Sequence, residues 1–172
     1  MFAPMMETFV TSDVLQKRER IGEPEATQVL WRLYNALPLV AEPAWVNLEA
    51  DWTFALGSPQ EGLNVAADRL PEKRENVTLP QRTLHPDTPY WYAAEVTVST
   101  PTVLAIKADD GAQVFANGNR IPVRGDHFFL PASGASTKTR LIVRVLNKAA
   151  YGGLEDVRIA SQADFERYQQ AS

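Results

Sequence analysis

The stretch Tyr90–Ser99 reads YWYAAEVTVS. Tyr90, Tyr92, Ala94, Val96 and Val98 fall on one side of an extended chain. Trp91, Ala93, Glu95, Thr97 and Ser99 fall on the other. A period of two is the signature of a strand with one face toward a core, because successive side chains point to opposite faces of a sheet. The same pattern continues on both sides of this segment. DWTFALG (51–57) and GLNVAADR (62–69) precede it, separated from it by the polar, Pro-bounded connection RLPEKRENVTLP (69–80). TVLAIKA, AQVFA, RIPV, HFFLP, RLIVRVLN and LEDVRIA follow, each bounded by Gly, Pro, Asn, Asp or Ser. About nine short strands at close spacing, with no helix between them, predict an antiparallel β-sandwich or jelly roll.

Two turns stand out inside ADDGAQVFANGNR (108–120). Asn117-Gly118 is a strong hairpin signal, since both residues must tolerate positive φ. Asp109-Asp110-Gly111 predicts a second turn, with Asp109 capping it, Gly111 taking a backbone angle that other residues avoid, and Val114 entering the core. The first forty residues read differently. SDVLQKRERIG and EPEATQVLWRLYNALP predict two short helices. The second carries Val29, Leu30, Leu33 and Leu37 on one face and is closed by Pro38. At the other end SQADFERYQQAS predicts a short helix capped by Ser161. The expected organisation is a helical segment over 1–42, a β-sandwich over 43–160 and a helical tail over 161–172.

Composition narrows the function. Hydrophobic residues make up 45% of the 172 and charged residues 22%, as in globular chains. The net charge is -4 and the 17 Lys and Arg are scattered, which argues against a nucleic-acid partner. No apolar run approaches the roughly 20 residues that span a bilayer, so no membrane partner is expected. With no Cys, thiolate nucleophiles, disulfides and Cys-ligated zinc are excluded. The opening MFAPMMETFVTSD lacks the basic n-region and long apolar core of a secretory leader, and the compartment stays open.

Five segments in order resemble the sugar-binding domain of family-two glycoside hydrolases, the β-galactosidase and β-glucuronidase class. WVNLEADWTFALGSP (45–59) is similar to its opening strand, and ENVTLPQR (75–82) to the stretch after it, with Gln81 where the family carries His. PYWYAAEVTV (89–98), VLAIKADDGAQVFANGNRI (103–121) and TRLIVRVLN (139–147) resemble the family's middle strand, its hairpin and its closing strand. The resemblance implies a galactose-binding-like jelly roll. It also implies a non-catalytic accessory domain of a larger, bacterial hydrolase, because the barrel that holds the paired catalytic carboxylates is absent. Such sandwiches often hold a structural calcium, for which Glu155 and Asp156, with Asp51 or Asp68, are candidate ligands.

The residues themselves support no enzyme. Asp109 and Asp110 are adjacent, which suits turn capping better than the spaced carboxylate pair of a glycosidase. There is no G-x-S-x-G elbow, no H-E-x-x-H helix and no phosphate loop, and the only histidines are His85 and His127. No catalytic residue and no cofactor is expected. Carbohydrate recognition pairs an aromatic platform with amide, carboxylate and guanidinium groups. Asp109, Asp110, Asn117, Asn119, Arg120 and Arg82 are the polar candidates, and Trp91 and Tyr151 the aromatic ones. Trp91 attracts notice because it shares a face with Glu95, Thr97 and Ser99; its alternative is packing beneath the N-terminal helices. The expected partner is a carbohydrate. The competing expectation is an interaction module that packs on a catalytic domain or another subunit and binds no sugar.

Overall fold

The computed structural model describes residues 41–62, 64–148 and 151–171. The two expected N-terminal helices lie outside the described residues. Residues Glu42–Glu166 form one compact unit, and it is an antiparallel β-sandwich.

The strands are β1 (Val46–Asn47), β2 (Trp52–Leu56), β3 (Glu75–Val77), β4 (Gln81–Thr83), β5 (Tyr90–Thr97), β6 (Thr102–Ala108), β7 (Ala112–Ala116), β8 (Asn119–Arg120), β9 (Val123–Arg124), β10 (His127–Leu130), β11 (Lys138–Val145) and β12 (Gly152–Ser161). One sheet has the order β1-β12-β6-β10-β9, with β4 also on β12. The other has the order β3-β2-β5-β11-β7-β8. A helix, α1 (Gln162–Ala171), begins directly after Ser161, the last residue of β12.

The alternation read in Tyr90–Ser99 decides the core. Tyr90, Tyr92, Ala94, Val96 and Val98 all face inward, against Leu104 of β6, Phe128 and Leu130 of β10, and Leu154 and Val157 of β12. Strand β5 lies between β2, which pairs with Tyr90–Ala93, and β11, which pairs with Tyr90–Thr97. The hairpin at Asn117-Gly118 forms as expected, with φ of 49° and 85°. Asn117 Oδ1 also accepts the Arg140 N–H at 2.8 Å, which locks the turn to β11.

Three local expectations differ from the structure. GLNVAADR is not a strand: it contains a single 3-10 turn, Ala67–Arg69. Its Val65 and Ala67, with Leu70, pack on the outer face of the second sheet against Trp91, Ala93, Phe115 and Ile142. Strands β5 and β11 there already have neighbours on both edges, so this segment can add only side-chain cover. The polar connection after it contains β3, which extends the sheet from β2. RIPV divides into β8 and β9, which belong to different sheets.

This covering segment, a strap across the outer face, is preceded by Glu61, which forms a buried ion pair with Arg144. Arg144, 1% exposed, faces Trp91 on β5 and Gln113 on β7 by register. Its guanidinium donates to Gln113 Oε1 at 3.0 Å and to Glu61 Oε2 at 3.3 Å, and lies 5.4 Å from the Trp91 ring centroid. The Trp91 indole N–H donates to the same Glu61 oxygen at 3.0 Å. Burial pulls the Arg144 pKa below its ordinary value, and the charge and hydrogen bonds of Glu61 oppose that pull. On the outer face of the first sheet α1 lays Phe165 against Trp45, His127 and Phe129, with centroid distances of 4.6 to 6.0 Å.

Candidate functional site

Strand β12 explains where the surface opens. Along one side it pairs with β6 from Leu154 to Ser161. Along the other it pairs with β4 at Gly152–Leu154 and with β1 at Arg158 and Ile159. On that second side, between those two short partners, Glu155 and Asp156 have no strand beside them among the described residues, and the Val157 carbonyl accepts the Leu48 N–H at 2.8 Å. A bulge between Leu154 and Asp156 sits at the same place. Bulges re-aim side chains and interrupt pairing, and they are enriched beside binding sites.

Two chain crossings frame this gap. One runs from β1 to β2 and carries Leu48, Glu49, Ala50 and Asp51. The other runs from β3 to β4 through Thr78, Leu79 and Pro80. Together with Asn47, Trp52, Asn76, Gln81, Arg82 and Glu155–Val157 they line a cleft of about 1410 Å³. That exceeds the roughly 300–1,000 Å³ of sites for single small molecules and leaves room for an extended ligand.

The lining has defined hydrogen-bonding capacity. Trp52 opens β2 and is 3% exposed, yet its buried indole N–H has no acceptor among the described residues. An orphaned buried donor costs about 1–3 kcal/mol, so such groups call for an explanation. Gln81 is held in one orientation because the Tyr92 hydroxyl donates to its Oε1. The Leu154 N–H in turn donates to the Tyr92 hydroxyl at 3.3 Å. The amide nitrogen of Gln81 is thereby left as the end available to the cleft.

Burial raises the Tyr92 pKa well above its ordinary value of 10.0. The neutral phenol is the form that fits. With the folded pKa raised, its contribution to stability is complete below about pH 10 and is lost as pH rises toward the folded value. Unfolding free energy should therefore fall more steeply above pH 10 in the wild type than in Tyr92→Phe. Urea titrations of both proteins across that range check it, and parallel curves would refute it.

Charge is unevenly placed in the cleft. Lys107 binds Glu155 at 2.5 Å, and that hydrogen bond is the main reason the Glu155 pKa lies below the usual carboxylate range and the Lys107 pKa above its own. Arg82 approaches Glu155 at 3.8 Å and Asp109 at 3.7 Å. Asp156 Oδ1 lies 3.6 Å from Arg158 Nε, but it is buried and accepts no hydrogen bond.

The residues expected from sequence to bind ligand do not converge. Arg82 lines the cleft, whereas Asp109 is not in the lining and meets it only through Arg82, at 3.7 Å. Asp110 Oδ2 accepts the Lys148 N–H at 2.6 Å, which ties the β6–β7 turn to the chain after β11. Gly111 takes a φ of +117° there. Asn117, Asn119 and Arg120 lie at the β7–β8 edge of the second sheet, whereas the cleft is bordered by β2 and β3 at the opposite edge. Tyr151 is 60% exposed and is not in the cleft lining. Trp91 is fully buried by the strap, so its position beside Glu95 and Thr97 on the outer face does not expose it. It cannot serve as an open platform.

Of the candidate calcium ligands, Asp51, Glu155 and Asp156 all line the cleft, and the Asp68 side chain lies outside the described residues. Among the described residues no three His, Asp or Glu side chains are grouped to hold a metal ion.

Trp52, Gln81, Asn47, Asn76 and Glu49 were not among the expected ligand residues. Their sequence signal was a pair of polar, Pro- or acid-bearing connections either side of DWTF. That signal carries meaning only once both connections are known to cross between sheets at one edge. No protein-family model matches the chain, and a comparison with curated proteins finds no match.

Proposed function

We propose that this chain is a non-catalytic carbohydrate-binding domain, a galactose-binding-like jelly roll that serves as an accessory to a larger hydrolase, and that the cleft beside β12 is its ligand site. The observation that carries this reading is the cleft lining. Amides of Asn47, Asn76 and Gln81, carboxylates of Glu49 and Asp51 and the Arg82 guanidinium line the cleft together with Trp52. Sugar hydroxyls both donate and accept, so they match the mixed donors and acceptors of Gln81, Arg82 and Asp51 on the lining. The five-segment resemblance to family-two glycoside hydrolases points the same way. The acids lend no support to catalysis: Asp110 is committed to a backbone N–H and Glu155 to Lys107.

The experiment is a heteronuclear NMR titration with neutral, acidic and amino oligosaccharides at millimolar concentration, where weak binding is still visible. The expected result is a shift of the Trp52 indole resonance and of amides in 47–52, 76–82 and 155–157. The Trp91 indole, already bonded to Glu61, should stay in place. Arg82→Ala should weaken binding without changing the thermal midpoint, since Arg82 is exposed. Shifts confined to Asn117–Arg120 or Tyr151 would move the site, and silence with every sugar would leave the sandwich as an interaction module.

A further inference from the structure

We infer that Asn117 is a site of spontaneous hydrolytic modification, deamidation by water, and that the fold gates it: Asn117 converts only when its contact with Arg140 opens. The chain has one Asn-Gly pair, Asn117-Gly118. Both residues are exposed, so water reaches them. In the reaction the Gly118 backbone nitrogen bonds to Asn117 Cγ and gives up its proton, the Cγ–Nδ2 bond breaks, and ammonia leaves. Water then opens the five-membered imide at either carbonyl, which yields aspartate or its β-linked isomer, isoaspartate. Glycine at 118 favours ring closure, because no Cβ crowds the attacking nitrogen.

The structure restrains both reacting groups. The Asn117 N–H donates to the Arg140 carbonyl at 2.9 Å, and Asn117 Oδ1 accepts the Arg140 N–H at 2.8 Å. The side chain thereby stands in for a backbone carbonyl and carries the β7–β11 ladder one residue past the pair Ala116 and Leu141. Ring closure needs Cγ to swing onto the Gly118 nitrogen, and that motion takes Oδ1 off β11. The backbone is fixed as well. Asn117 and Gly118 hold φ of 49° and 85° while Ala116 pairs with Asn119 and Phe115 with Arg120. The reaction therefore draws on the population in which this end of the hairpin has opened.

The test ages the intact chain at mildly alkaline pH, folded and in urea, and follows the mass of the peptide that holds residue 117, with isoaspartate resolved by chromatography. Unfolded chain should convert at Asn117 before any other asparagine, and folded chain at least about tenfold more slowly. Hydrogen exchange of the Arg140 amide supplies an independent measure of the gate, because that N–H is bonded to Asn117 Oδ1 itself. The slowing of conversion on folding should match the protection of the Arg140 amide within about threefold. Asn117→Ala should abolish the conversion and also the Arg140 protection. Equal rates in folded and unfolded chain would overturn the gate, as would a slowing far greater than the Arg140 protection. Unfolded chain that converts first at another asparagine would overturn the site.

Discussion

Glu61→Ala should destabilise the protein by about 3 kcal/mol, read as a lower urea midpoint at unchanged slope. Glu61 is 83 residues from Arg144 in sequence and holds it by two contacts to one carboxylate oxygen, at 3.3 and 3.4 Å. That oxygen also receives the Trp91 indole N–H. Removing the carboxylate leaves a guanidinium that is 1% exposed with the Gln113 amide and the Trp91 ring beside it and no counter-charge among its described contacts. An uncompensated buried charge costs more than the pair itself contributes, which is why the single variant is severe. Arg144→Met/Glu61→Leu should recover part of the loss, because an apolar pair of similar volume carries no desolvation penalty. A Glu61→Ala loss below about 1 kcal/mol would mean that the strap does not depend on this contact, in the range of exposed ion pairs.

Gly153→Ala should cost at least about 3 kcal/mol, beyond the usual range for inserting one methyl group into a packed site. A Cβ on Gly153 would stand 2.0 Å from the Gln81 carbonyl oxygen and 2.9 Å from Arg82 Cα. Both are backbone atoms of β4, so no rotamer change relieves the overlap. Strand β4 would have to leave β12, taking with it Gln81 and Arg82 from the cleft wall. Sugar binding should therefore fall along with stability. Gly62→Ala is the control: its Cβ meets nothing within 4 Å, and neither property should change. Hydrogen exchange offers a direct check, since the amides of Gln81–Thr83 should lose protection selectively in Gly153→Ala. Wild-type stability and binding in that variant would contradict the close approach of β4 to β12.

Comparison of these two sites shows what kinds of contact the sequence could announce. Alternation in Tyr90–Ser99, the Asn117-Gly118 turn and the polar boundaries of each short run all express local rules, because side-chain direction in a strand and backbone angles in a turn are set within a few residues. From them follow a chain of antiparallel strands, the inward set of β5, and the helix after Ser161. GLNVAADR departs from its pattern for a related reason. Its apolar spacing reports that one side of the segment is covered, and a strap lying over a sheet meets that condition as well as a strand does.

Trp91 shows the limit most clearly. Its assignment to the outer face of β5 needed only the period of two. Whether that face is wet depended on a segment some 30 residues away folding over it and on Arg144 and Gln113 arriving from two other strands. The cleft has the same character. Asn47–Trp52, Asn76–Arg82 and Glu155–Val157 are far apart in the chain and meet only because β1 and β4 both pair with β12 and leave a gap between them. The sequence by itself determined the long strands, the Asn117-Gly118 turn and the inward-facing side chains of β5, since these follow from local backbone geometry and burial. The tertiary structure alone decided which outer face is covered and where a ligand has room, because each depends on contacts between segments distant in sequence.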